Sequence, residues 1–178
     1  MPDVYPGKMK NKKTQYIILA FGVGLLILLP WLFKSPVTPD NQSLFTSNFT
    51  MPEASVSRGG EVEGLWERGN TYYANKEYSL AISDFESVLN DSSFYRKPQV
   101  QILLGACYIA LSETEKGAEI LGNVDENSFE FDRATWYRGL AFLHMNKVDS
   151  AKTHFENLTL DEKGEYHKQA SKLLKQLK

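Results

Sequence analysis

The chain has 178 residues, a hydrophobic fraction of 42% and a formal net charge of -2. Residues 1–33 carry four lysines against Asp3, a charge of +3, so residues 34–178 carry -5. A mildly acidic region without a cluster of Lys and Arg argues against nucleic-acid binding, which needs such clusters to neutralise phosphates. The single cysteine, Cys107, allows neither an intrachain disulfide nor a zinc site made of thiolates.

Residues 14–33 contain no charged side chain and predict a transmembrane helix. At ~1.5 Å of rise per residue, a segment of this length crosses the ~30 Å hydrocarbon core of a bilayer. Tyr16 and Trp31 lie near its two ends, where interfacial aromatic residues are common. A cleaved signal peptide is the alternative. The apolar stretch is longer than signal peptides usually have, and no small-x-small cleavage site follows it, so the sequence favours an uncleaved anchor.

Lysines are concentrated on one side of the predicted span, since four precede it and only Lys34 follows closely. The positive-inside rule then places residues 1–13 in the cytoplasm and residues 34–178 on the far side. In a bacterium that side is the periplasm. The expected location is therefore the inner (plasma) membrane, with a single pass and a periplasmic C-terminal domain.

Residues 34–60 are rich in Pro, Ser, Thr and Asn, a composition that predicts a non-helical linker. The linker also contains an apolar cluster made of Leu44, Phe45, Phe49 and Met51. We favour the interpretation that this cluster is a flap packed on the first repeat. A motif that docks a partner is the alternative.

Residues 61–178 contain a threefold internal register. Gly69, Gly105 and Gly139 are separated by 36 and 34 residues, and each is followed 12 residues later by Ala81, Gly117 or Ala151. Small residues at this spacing predict three hairpins of two helices that cross closely. Asp161 to Lys178, with apolar residues on one stripe and lysines on the other face, predicts a terminal capping helix.

Two hairpin turns are also indicated. Asn75 to Glu77 is expected to join the helices of the first hairpin. In the second hairpin, Ser112 to Glu115 has the pattern of a capping box, which predicts the start of the second helix there.

The first repeat, Leu65 to Phe85, resembles a tetratricopeptide repeat (TPR) at five signature positions, Gly69, Tyr72, Tyr78, Ala81 and Phe85. The order of anchor, linker, three such hairpins and closing helix is similar to that of bacterial membrane-anchored TPR proteins with periplasmic repeats. The resemblance implies an all-α fold, a transmembrane helix followed by a short α-solenoid over residues 61–178. It also implies a binding or scaffolding role.

In TPR arrays the first helix of each hairpin lines a concave groove, so the register implies a set of partner-binding positions. These are mostly apolar and would suit an apolar or amphipathic peptide. The candidate residues are Trp66, Asn70, Tyr73, Ile102, Ile109, Arg133, Trp136 and His144. The alternative is that several of them belong to the hydrophobic core or lie under residues 44–51.

We find no phosphate-binding loop, nucleophile motif or metalloprotease helix, and the three histidines have no carboxylate at ligand spacing. The sequence therefore predicts no enzyme, no catalytic residue, no metal and no cofactor. It predicts a scaffold or adaptor at the membrane surface that binds another protein or a peptide. The alternative is a regulatory or accessory subunit of a membrane enzyme or translocon, with its specificity in residues 14–33.

Overall fold

The computed structural model describes residues 39–54 and 61–177. All regular secondary structure in these two ranges is helical, which confirms the predicted all-α class for this part of the chain. The predicted transmembrane segment, residues 14–33, lies outside them. Within the described ranges, no helix combines the length and the apolar character that a membrane span requires.

The described residues form eight helices. Their bounds are α1 Asn41–Asn48, α2 Glu61–Ala74, α3 Tyr78–Asn90, α4 Lys97–Ala110, α5 Thr114–Gly122, α6 Phe131–His144, α7 Val148–Asn157 and α8 His167–Leu174. Helices α2 and α3 form hairpin 1, α4 and α5 form hairpin 2, and α6 and α7 form hairpin 3. Each second helix also packs against the first helix of the next hairpin, so the hairpins are stacked in chain order.

Close helix crossing explains the three register glycines. A Cβ atom on Gly69 would lie 2.8 Å from an aromatic carbon of Phe85, and one on Gly139 would lie 2.6 Å from Phe155. In hairpin 2, a Cβ atom on Gly105 would lie 2.7 Å from Leu121. Each partner follows its glycine by 16 residues, so the threefold spacing in the sequence is a threefold packing contact.

The turn inside each hairpin is built in the same way. Lys76, Ser112 and Asn146 adopt φ values of 63°, 65° and 59°, the left-handed conformation that ends many helices. After Lys76, the amide of Glu77 donates to the carbonyl of Tyr72 at 2.8 Å, and hairpins 2 and 3 repeat this bond. The turn predicted at Asn75 to Glu77 is confirmed.

The predicted start of the second helix of hairpin 2 within Ser112 to Glu115 is confirmed, but the predicted capping box is wrong. Ser112 is the left-handed residue that follows α4, and the N-cap position of α5 is occupied by Glu113, so Ser112 does not cap α5. Helix α5 begins at Thr114, after Glu113, and its first turn receives no side-chain cap. The sequence has the capping-box pattern, but Ser112 takes the left-handed conformation that ends the preceding helix, α4.

The turns between hairpins repeat as well. Asp91, Asp125 and Asp161 each accept a hydrogen bond from the backbone amide two residues later, at 2.7, 2.8 and 2.9 Å. The third of these turns leads into α8, which packs on α7 and buries Ala170 and Leu173. The predicted closing helix therefore exists, but it spans only His167–Leu174.

Buried side chains form two clusters. One belongs to hairpin 1 and α4 and is centred on Trp66, Phe85 and Val100. The other joins hairpins 2 and 3 to α8 and includes Trp136 and Phe155. The second cluster also contains two residues of α1, Leu44 and Phe45, which makes the predicted linker part of the core.

Two expectations for the linker are therefore corrected. The linker was expected to be non-helical, but residues 41–48 form α1, whose first turn is capped where the amide of Ser43 donates to Asp40 at 2.7 Å. The apolar cluster was expected on the first repeat, but Leu44, Phe45 and Phe49 pack on hairpin 3 through α1 and α6, and only Met51 packs against the cluster of hairpin 1 and α4. Burial of Leu44 and Phe45 against α6, together with the cap, outweighs the polar composition of the segment.

Candidate functional site

The first helices α2, α4 and α6 form one face of the domain, which we call the first-helix face. Residues 39–54, which we call the strap, lie across it. The strap begins at the turn of hairpin 3, where Asn41 Nδ2 donates to Asn146 Oδ1 at 2.5 Å. It then runs antiparallel to α6 and crosses towards α2, so it contacts the first and third hairpins.

The N-terminal half of the strap is held by its side chains. Leu44 is 3% exposed and Phe45 is 9% exposed. The Phe45 ring stacks on the ring of His144 with centroids 4.2 Å apart and planes 9° apart. Thr114 Oγ1 lies 3.0 Å from Nδ1 of His144, so a hydrogen bond fixes the orientation of the imidazole under Phe45. This half of the strap is thus recognised by shape and aromatic stacking.

The second aromatic residue of the strap continues the contact along α6. The Phe49 ring lies 4.9 Å from that of Phe45 and meets the ring of Tyr137 edge to face at 5.8 Å. Phe45 and Phe49 are four residues apart at the end of a helix, so both can face the same neighbour. Together they form an aromatic pair aligned with α6.

The C-terminal half of the strap is held by its backbone. The Tyr137 hydroxyl donates to the carbonyl of Thr50 at 2.8 Å, and the Tyr73 hydroxyl donates to the carbonyl of Pro52 at 2.8 Å. Burial raises the pKa of Tyr73 and of Tyr137, so both remain protonated donors at neutral pH. Since the acceptors are main-chain carbonyls two residues apart in a non-helical segment, this recognition does not depend on side-chain identity.

Six of the eight predicted groove residues are buried. The exposed fraction is 6% or less for Trp66, Asn70, Tyr73, Ile102, Ile109 and Trp136. Arg133 and His144 are partly exposed. Trp136 packs inside the second cluster against Phe155 and Tyr166. Tyr73 and His144 touch the strap directly, so all of these positions except Arg133 are core or covered, and partner binding by them stays a prediction.

A small cavity of about 70 Å³ lies at the α2 end of the strap. It is lined by Trp66, Glu53, Gln99 and Arg133, among others. Within the described residues, Trp66 Nε1 is a buried donor without a hydrogen-bond partner, and Asn70 Oδ1 is a buried acceptor without one. Buried polar groups are usually satisfied, so this end of the face has spare hydrogen-bonding capacity.

The strap ends in an open cleft of about 1020 Å³ that is strongly acidic. Five carboxylates line it, those of Glu53, Glu126, Glu130, Asp132 and Glu165. Arg133 is the one basic residue among the lining residues, and it pairs with Glu130 at 3.5 Å. Phe129 lines the cleft with 99% of its surface exposed. Sequence reasoning missed this region, although two phenylalanines within an acidic loop were a visible signal.

Comparison with known proteins gives no further guide. No protein-family model matches the chain, and neither a curated protein nor a solved structure matches it. The candidate site therefore has to be interpreted from its own geometry.

Proposed function

We propose that this chain is a membrane-anchored scaffold or adaptor of TPR type whose first-helix face binds a segment of another protein. The observation that carries the proposal is the strap, because the face already holds a chain segment by aromatic stacking and two tyrosine–carbonyl bonds. The repeated hairpin register supports the same class, since stacked helical hairpins commonly serve as extended binding surfaces.

Membrane attachment is the second part of the proposal. It rests on the uncharged residues 14–33 and on the four lysines that precede them. Protease treatment of sealed inner-membrane vesicles and of spheroplasts tests the topology. We expect the domain to be cleaved in spheroplasts and protected in sealed inside-out vesicles, whose lumen corresponds to the periplasm; protection in spheroplasts would overturn the periplasmic assignment.

Site-specific photo-crosslinking in intact membranes tests partner binding. A photo-reactive residue at Glu53, which is exposed at the end of the strap, is compared with one at Thr153, which is exposed on α7 of hairpin 3. We expect a reproducible protein adduct at position 53 and none of the same mass at position 153. Equal adducts at both positions, or none at position 53, would contradict binding at this face.

The alternative function is an accessory or regulatory subunit that contacts a membrane enzyme or translocon through residues 14–33. One observation favours it, namely that the strap already covers much of the first-helix face, with Leu44 and Phe45 buried. Replacement of residues 14–33 by an unrelated transmembrane segment separates the two functions. Full retention of the crosslink at position 53 would exclude the alternative, and its loss would favour it.

A further inference from the structure

We propose that the strap is an exchangeable occupant of the first-helix face, and that the partner is a segment of similar chemistry with a basic C-terminal end. That partner segment carries two aromatic residues four positions apart, then an extended stretch, then Lys or Arg where the strap has Glu53. The inference rests on the proposed function and names the partner class for the same site.

The strap depends on the face for its order. Helix α1 has eight residues, and a helix of that length is not stable in water without tertiary contacts. Its contacts are concentrated in a few groups, the buried side chains of Leu44 and Phe45 and the carbonyls of Thr50 and Pro52. An incoming segment that supplies the same groups can therefore replace the strap without disturbing the hairpins.

The recognition elements of the face define what can replace it. His144 offers a flat ring held by Thr114, which suits an aromatic side chain. Tyr137 and Tyr73 offer hydroxyl donors to alternate carbonyls, which suits any extended backbone. Trp66 lies seven residues before Tyr73 on α2, so both lie on one side of that helix, and Trp66 lines the small cavity at this end of the face.

Charge favours a partner over the strap at the acidic cleft. The strap places Glu53 in a cleft that is also lined by four other carboxylates and by Arg133, so the other charged lining residues carry a net charge of -3 that opposes the carboxylate of Glu53. A lysine at the same place would reverse that repulsion and add attraction. The strap is thus adequate as a resident segment but is not the best ligand for the face.

The test uses the full-length protein in detergent micelles and fluorescent peptides measured by anisotropy. Three peptides are compared: the sequence of residues 39–54, the same sequence with Glu53→Lys, and that lysine peptide with Phe45→Ala and Phe49→Ala. The protein is used as wild type and as the strap-weakened variant with Phe45→Ala and Phe49→Ala.

We expect the lysine peptide to bind the strap-weakened protein about tenfold more tightly than it binds the wild type, because the resident strap no longer competes. It should bind more tightly than the peptide with Glu53, and this advantage should shrink as salt is added. The peptide without aromatic residues should bind at least about tenfold more weakly. Equal affinity for the two proteins, or for the aromatic and alanine peptides, would overturn the inference.

A second variant keeps the strap in place and so controls for misfolding. Asn41→Cys with Asn146→Cys puts two thiols at the positions whose side chains now meet at 2.5 Å, and thiol titration verifies that oxidation joins them before binding is measured. We expect oxidation to abolish binding of the lysine peptide and reduction to restore it. Cys107 does not interfere, since it is buried and burial raises the pKa of its thiol to about 12. Binding that is unchanged by oxidation would also overturn the inference.

The outcomes separate this inference from the proposed function. A crosslinked partner at position 53 whose yield is unaffected by the disulfide would leave the scaffold function standing and reject strap exchange. Peptide exchange in micelles without any crosslinked partner in membranes would do the opposite.

Discussion

Hairpin 3 and hairpin 1 both contact the strap, but in different ways. Hairpin 3 buries Leu44 and Phe45, and His144 stacks on the Phe45 ring. Hairpin 1 donates a hydrogen bond from Tyr73 to a main-chain carbonyl and packs against the partly buried Met51. The difference teaches that sequence selectivity for any occupant of the face lies at hairpin 3, whereas hairpin 1 accepts an extended chain largely irrespective of its side chains.

The two hairpins also differ inside. In hairpin 1, Arg68 forms two hydrogen bonds at 2.8 and 2.7 Å with Asp84, which is buried. The equivalent residues of hairpin 3, 70 positions later, are Arg138 and His154. The His154 ring stacks on Phe142, and burial followed by the charge of Arg138 lowers the pKa of His154. Hairpin 1 is thus closed by an ion pair, whereas hairpin 3 relies on packing, including that of the strap.

The largest expected effect tests whether the two hairpins share one core design. Phe85→Ala and Phe155→Ala each remove a fully buried ring, so each should lower the free energy of unfolding by about 3–5 kcal/mol. Phe155 belongs to the same cluster as Phe45, so only Phe155→Ala should also expose the strap to proteolysis. Chemical denaturation and limited proteolysis measure the two effects. Equal exposure of the strap in both variants would contradict the asymmetry.

A smaller effect tests where the strap is held by side chains. Phe45→Ala should cost about 1.5–3 kcal/mol, because it removes a ring that is only 9% exposed and so loses the burial of that ring. Met51→Ala, on the hairpin 1 side, should cost less, since Met51 is only partly buried. Urea denaturation of the two variants gives the comparison. If Met51→Ala proved the more costly change, the roles that we assign to the two hairpins would have to be exchanged.

Next in size is the loss of a single hydroxyl. Tyr73→Phe and Tyr137→Phe each remove one hydrogen bond to a strap carbonyl and should each cost about 0.5–1.5 kcal/mol. Because the two bonds hold the same segment, the free energy of unfolding lost in the double variant should differ from the sum of the two single losses. A double-mutant cycle measures that coupling. Tyr72→Phe, on the same helix but with a partly buried ring, serves as the matched control. Strict additivity would show that the two bonds act independently.

The smallest expected effect is a pH dependence confined to hairpin 3. Since the folded pKa of His154 lies below its unfolded value of about 6.5, its contribution to stability is complete above that pH and is lost as pH falls. His154→Gln should therefore reduce the fall in thermal stability between about pH 6.5 and pH 5. An unchanged pH profile in the variant would assign that fall to other groups.

The sequence predicted the repeated part of this fold better than the strap, for a physical reason. Glycine spacing reports a contact that recurs every 34 to 36 residues, so three weak signals reinforce one another. The stacking of Phe45 on His144 joins positions 99 residues apart and occurs once, so no local sequence pattern predicts it. The register also located the first-helix positions but could not tell that Trp66 or Ile102 would be buried, because burial depends on what lies above them.

The turns at Asp91, Asp125 and Asp161 have a consequence for the length of the array. These turns lie 34 and 36 residues apart and contain the same hydrogen bond between an aspartate and a backbone amide. The segment between two of them is therefore a repeat unit with matching ends. Duplication of residues 91–124 would therefore add one hairpin through junctions that the protein already uses. The strap has a fixed length, so each added repeat unit would increase the share of the array that the strap does not cover. An array lengthened in this way would gain exposed surface while its turns between hairpins stayed the same.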